Sequence, residues 1–148
     1  MIVTPRWLPL YLVPELLKLR DDPSLVWIKR RSGPYHGAQL SACPALDTLG
    51  LTFAHPFAFT PPVNTQRVFL LCAPEGAEIK AHVDDHMGVV VQRIVMLQPA
   101  KSGGILMVGD VPAALQAGDA CAFDPNRQRH RVTRVEGCER IVLAIQYF

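Results

Sequence analysis

From Gln66 to the C-terminus, apolar residues come in short runs closed by turn residues. Arg67–Cys72 precedes Pro74-Glu75-Gly76, Glu78–Val83 leads to Asp84-Asp85, and Val89–Leu97 leads to Pro99-Ala100-Lys101-Ser102. Gly103–Val108 ends at Gly109-Asp110, and a short piece near Ala113–Gln116 meets Ala117-Gly118-Asp119. Ala120–Phe123, His130–Val135 and Ile141–Phe148 follow. About eight strands at spacings of roughly 8–12 residues leave no room for crossover helices, which predicts an antiparallel sandwich, barrel or double-sheet jelly roll.

The N-terminal half has a different pattern. Residues 14–20 read as a short helix, with Pro14 in the first turn, Glu15 at the positive end of the helix dipole, and Lys18 and Arg20 near the other end. Asp21-Asp22-Pro23 stops it, and Leu25–Ile28 reads as a strand ended by Lys29-Arg30-Arg31-Ser32-Gly33-Pro34. One helical turn near 44–49 is expected. Nine of the 13 prolines fall within residues 1–62. The reading is an α+β, mainly β chain forming a single domain over 1–148. In it, 1–65 is a Pro-rich helix and loop cover with one or two short helices, and 66–148 is the β core.

Composition narrows the function classes. With 148 residues, 49% hydrophobic and 19% charged, the chain is long enough and apolar enough for one core. A net charge of +2 argues against a strongly basic nucleic-acid binder. No apolar run approaches the roughly 18 residues of a membrane span. The apolar stretch Trp7–Val13 lacks the small-residue cleavage site of a signal peptide. Cys43, Cys72, Cys121 and Cys138 lie far apart with no C-x-x-C pair, so reduced thiols and a cytoplasmic location are expected. Trp7, Leu10 and Tyr11 are read as exposed and offer a surface for a homodimer.

Four features carry candidate chemistry. His82 and Asp84 lie two apart on a strand and so share a face, which suits either a surface polar pair or a ligand pair. His130 opens a later strand. If a jelly roll brings it beside His82 and Asp84, two imidazoles and a carboxylate form a facial triad suited to non-haem Fe(II). Arg140, Val142, Ala144 and Gln146 share one face of the last strand. In one register Arg140 is a buried cation that needs an anionic ligand; in the other it faces solvent. Ser102-Gly103-Gly104 at a strand start indicates by itself only a hairpin. His86 shares the parity of His82 and Asp84 and is an alternative ligand. Arg134 shares that of His130, at the mouth of a pocket where it meets an anionic substrate. His36 and His55 have no evident partner.

Taken in order, Ala81-His82-Val83-Asp84-Asp85, Ser102-Gly103-Gly104-Ile105-Leu106, Gly118-Asp119 with Phe123, His130-Arg131-Val132 and Arg140–Phe148 resemble the Fe(II)- and 2-oxoglutarate-dependent oxygenases, in particular the prolyl-hydroxylase branch. The similarity runs from about Arg67 to Phe148. It implies a double-stranded β-helix (jelly roll) with His82, Asp84 and His130 binding Fe(II). Arg140 would pair with the distal carboxylate of 2-oxoglutarate, and Val132 would flank that cosubstrate. An Arg placed like Arg93 resembles the cosubstrate contact of the aspartyl/asparaginyl hydroxylases, which lack the metal-binding Asp. Asp85, His86 and Asp124 are candidates to orient the imidazoles. The activity implied is hydroxylation of a C–H bond of a small molecule, amino acid or peptidyl residue, with O2 consumed and succinate and CO2 released. The tyrosine common on the strand after His-x-Asp is missing from Val89–Leu97. Two rivals remain at this point: a cupin-type metal enzyme, which leaves Arg140 and the Gly pair unexplained, and a non-catalytic jelly-roll binding module.

Overall fold

A computed structural model describes residues 1–31, 33–40, 66–85 and 88–148. Thirteen strands and one helix follow in order: β1 (Ile2–Thr4), α1 (Leu12–Leu17) continued by a 3-10 turn (Lys18–Asp21), β2 (Ile28–Lys29), β3 (His36–Gln39), β4 (Gln66–Ala73), β5 (Ile79–His82), β6 (Val91–Gln98), β7 (Ser102–Gly103), β8 (Leu106–Val108), β9 (Val111–Ala113), β10 (Ala120–Phe123), β11 (His130–Val132), β12 (Val135–Glu136) and β13 (Arg140–Tyr147). A seven-stranded sheet, β1-β10-β6-β13-β4-β3-β2, faces a four-stranded sheet, β5-β11-β8-β9; β12 and β7 form a small third sheet. This is a jelly roll, one of the three architectures that the strand spacing predicts and the one that the family resemblance implies.

Strand β13 shows why the sequence folds this way. All eight of its residues are buried, because both faces are covered. Ile141, Leu143, Ile145 and Tyr147 pack with Val68, Leu70 and Cys72 of β4, Val95 and Leu97 of β6, and Val13, Leu16 and Leu19 of the helical segment. Val142 and Ala144 point the other way, into a second cluster between the sheets with Ile94, Leu106, Phe123 and Val132. A strand covered on both sides reads as a continuous apolar run, and each fully buried Leu or Ile contributes about 1.5–3 kcal/mol of transfer free energy.

Several boundaries differ from the pattern. The helix begins at Leu12, led in by Leu12 N–H donating to Pro9 O at 3.0 Å and Val13 N–H to Leu10 O at 3.2 Å. Pro14 therefore stands in its first turn, where no N–H donor is missed. Asp22, before Pro23, is extended with ψ 117°, which ends the 3-10 turn. Leu25–Trp27 is not a strand; Leu25 N–H turns back to Asp22 O, and only Ile28–Lys29 pairs, with β3. Strands β1 and β3 are absent from the pattern because they are short and sit towards the edges of the large sheet. Gly103 and Gly104, at φ 64° and 62°, divide the expected strand Gly103–Val108 into β7 and β8. His130–Val135 divides at the same level, where Thr133 and Ile105 exchange hydrogen bonds. The helical turn expected near 44–49 lies outside the described residues, as do Cys43, His55 and His86. Trp7 is half-buried against the core and Arg93, whereas Leu10 and Tyr11 are exposed. Of the three residues read as exposed, Leu10 and Tyr11 are so. No helix among the described residues is long and apolar enough to cross a membrane.

Candidate metal centre

Between the two large sheets lies a cavity of about 810 Å³, towards the upper end of the range of small-molecule sites. Ile94, Leu106, Phe123, Val132, Val142 and Ala144 form an apolar wall. The β2–β3 hairpin closes one side: a Cβ placed on Gly33 would lie 3.3 Å from Glu78 O and from Ile79 Cγ1 of the opposing sheet segment.

His82, Asp84 and His130 meet at this cavity, with one ligand atom from each within 4.8 Å of the others. The antiparallel pairing of β11 with β5 sets His130 opposite His82. Their ring centroids are 4.4 Å apart. Asp84 follows β5, held by its N–H donating to Pro125 O at 2.8 Å. Its Oδ1 is 3.2 Å from His82 Nε2 and 3.7 Å from His130 Nε2. Two ligands at 2.0–2.2 Å from one ion stand at most ~4.4 Å apart, so both distances fit a shared metal.

The two imidazoles are oriented in the same way. His82 Nδ1 is 2.7 Å from Lys80 O, and His130 Nδ1 is 3.0 Å from Gln128 O. A carbonyl only accepts, so each Nδ1 carries the proton and each Nε2 offers its lone pair towards Asp84. These backbone carbonyls orient the imidazoles; His86, a candidate for that role, lies outside the described residues. Asp124 instead builds the turn before β11, its Oδ1 accepting from Asn126 N–H at 3.0 Å and Arg127 N–H at 3.2 Å. Asp85 is exposed at the cavity edge.

Arg140, Val142, Ala144 and Gln146 all line the cavity, so β13 has the register in which Arg140 points inward. Arg140 is 4% exposed, and its Nε has no hydrogen-bond partner among the described residues. Burial pushes its pKa down to about 10, partly offset by Tyr35. Room for the side chain comes from Gly104, whose missing Cβ would stand 3.1 Å from Arg140 Cδ. Gly103 is required for another reason: a Cβ there would collide with the Arg134 carbonyl, which accepts Gly104 N–H at 2.9 Å. The Ser-Gly-Gly stretch is therefore part of the Arg140 pocket as well as a turn.

Two candidate residues lie elsewhere. Arg93 does not line the cavity. Strand alternation turns it to the helix side, opposite Gln92 and Ile94, where its guanidinium lies 4.4 Å from the Trp7 ring centroid and 5.8 Å from that of Tyr147. Arg134 is exposed and outside the cavity, because the strand breaks after Val132 and its parity with His130 is lost. Val132 does line the cavity. The sequence reading missed Tyr35, the basic residues of the β2–β3 hairpin, and the buried pair Gln146 and Gln92, whose amides are 3.3 Å apart. Gln146 was visible only as a member of the Arg140 face. His36 is exposed, on β3.

No protein-family profile and no curated protein matches the chain. Solved structures do. A prolyl-4-hydroxylase from Pseudomonas putida superposes with a TM-score of 0.72 at 19% identity, over 99% of this chain and 90% of that one. An oxidoreductase of the 2OG-Fe(II) oxygenase family from Burkholderia pseudomallei gives 0.76 at 15% identity, over 99% and 84%. The fold is that of the 2-oxoglutarate–Fe(II) oxygenases. A prolyl hydroxylase from Trichoplax adhaerens, solved with a peptide fragment of hypoxia inducible factor, shares this oxygenase fold at a TM-score of 0.77 and 15% identity, over 99% and 82%.

Proposed function

We propose that this protein is an Fe(II)- and 2-oxoglutarate-dependent oxygenase that hydroxylates a C–H bond. The observation that carries the reading is the joining, in one cavity, of a two-His one-carboxylate cluster to a buried arginine with an unpartnered Nε. His82, Asp84 and His130 are the residues to hold Fe(II), and Arg140 the residue to take the distal carboxylate of 2-oxoglutarate. A planar guanidinium takes a carboxylate bidentately, and an anion there offsets the cost of burying Arg140. Val132 would pack beside the cosubstrate, and the apolar wall would keep water out. Iron bound there supplies the redox chemistry by which O2 and 2-oxoglutarate become a substrate hydroxyl, succinate and CO2.

A cupin-type reading accounts for the metal cluster but gives Arg140 nothing to bind. The free Cys72, Cys121 and Cys138 fit a reducing compartment, and we place the protein in the cytoplasm. The test is succinate formation from 2-oxoglutarate with Fe(II) and air. Wild type is expected to release succinate and Asp84→Ala to release none. Iron-loaded wild type that binds 2-oxoglutarate yet forms no succinate, with or without candidate substrates, is a binding module instead.

A further inference from the structure

The cavity mouth is more basic than the proposed chemistry requires. Lys29 ends β2, Arg30 and Arg31 follow it in the hairpin turn, and Lys80 lies on β5; all four line the cavity. None forms an ion pair among the described residues. Among the described residues, the carboxylates of the lining are Asp84, committed to the metal cluster, and the exposed Asp85. Iron and one cosubstrate account for Arg140 and the triad, which leaves four cations against one acid among the described residues of the lining.

Arg30 is held in place there. Its backbone N–H donates to Tyr35 O at 2.9 Å, closing the hairpin. Its guanidinium lies 4.9 Å from the centroid of the Phe69 ring, on the cavity wall. Gly37 leaves it room: a Cβ there would be 2.8 Å from Leu71 Cδ2, 3.3 Å from Arg30 Cδ and 3.4 Å from Arg30 Nε. A guanidinium resting on an aromatic face keeps its edge free for a planar, bidentate anion. Holding it this way costs side-chain entropy, and an anion at that edge makes use of the order.

We propose that the primary substrate is acidic, carrying a carboxylate, away from the reacting carbon, that Arg30 seats while Lys29, Arg31 and Lys80 steer it in. This inference rests on the oxygenase reading for the word substrate. The same chemistry belongs to a free polycarboxylic acid and to an acidic peptide.

The test titrates protein loaded with Mn(II) and saturating 2-oxoglutarate with three probes: citrate, N-acetyl-tetraglutamate amide and N-acetyl-tetraglutamine amide. At least one acidic probe should bind ten or more times tighter than the neutral peptide, with affinity falling steeply as salt rises. Arg30→Gln/Arg31→Gln should abolish that preference without weakening 2-oxoglutarate. Preference for citrate alone assigns a small acid, and for the glutamate peptide an acidic chain. Equal binding of charged and neutral probes, or no binding of either acid, overturns the proposal. So does a loss of 2-oxoglutarate affinity in the double variant matching the loss for the acid, since the rim would then serve the cosubstrate. If wild type takes up neither Mn(II) nor 2-oxoglutarate but still binds the acid through Arg30, the oxygenase reading fails and the acid site stands.

Discussion

Gly104 and Arg140 share one space: the Cβ that Gly104 lacks would stand 3.1 Å from Arg140 Cδ. Gly104 also holds φ 62°, a conformation that costs an L-residue with a side chain roughly 1–2 kcal/mol. Gly104→Ala should thus both strain the backbone and displace the guanidinium. We expect 2-oxoglutarate affinity to drop about tenfold, which is the affinity equivalent of about 1.4 kcal/mol, with the circular dichroism spectrum unchanged. Unaltered affinity in a folded Gly104→Ala protein would separate the glycine from the arginine.

On the proposed function, Arg140 trades stability for binding. Burial lowers its pKa to about 10, below the ordinary guanidinium range, so between the two the unfolded chain holds a proton that the folded chain lacks. Through this group, stability rises with pH only in that alkaline window, and below it the full cost of burying the charge persists. Arg140→Met should therefore stabilise the ligand-free protein at pH 7–8, on the order of 1–4 kcal/mol, as when buried ionic groups are replaced by apolar ones. Ligand at 100 times its Kd adds about 2.7 kcal/mol to a native state that binds it. Wild type should gain this from 2-oxoglutarate in urea unfolding, and Arg140→Met should not. A destabilised ligand-free Arg140→Met would mean that the arginine already has partners that satisfy it.

Burial pushes the Cys72 thiol up to about 12 and the Cys121 thiol up to about 11. Thiolate is the reacting form, so both should resist a disulfide reagent at pH 8 in the native protein and react on unfolding. Cys138, half-exposed and 3.6 Å from Pro99 O, should react first of the three. Peptide mapping after brief labelling reads the order directly, and early labelling of Cys121 would show that the sheet interior opens.

What the sequence disclosed follows from periodicity. β13 and β4 were legible because each is an apolar run closed by turn residues. His82 with Asp84 was legible because two positions along a strand fix a face. The register of Arg140 was not, since Ile141, Leu143 and Ile145 are as apolar as Val142 and Ala144; only cover on both faces of β13 decides it. Arg134 was misplaced because parity counts only while the strand lasts, and exchange between Thr133 and Ile105 ends it. Lys29, Arg30 and Arg31 looked like a strand terminator, because nothing local indicates that the hairpin folds over the cavity. The carbonyls of Lys80 and Gln128 belong to the backbone and leave no trace in side-chain patterns.

The most direct measurement is calorimetric titration of 2-oxoglutarate into Mn(II)-loaded protein, with wild type, His82→Ala and Arg140→Met compared at one pH. Wild type should bind one equivalent. His82→Ala should fail to hold the metal, and Arg140→Met should hold the metal while losing at least tenfold in 2-oxoglutarate affinity. Equal 2-oxoglutarate binding by wild type and Arg140→Met, or metal uptake indifferent to His82, would contradict the account of one cavity that grips its cosubstrate at both ends.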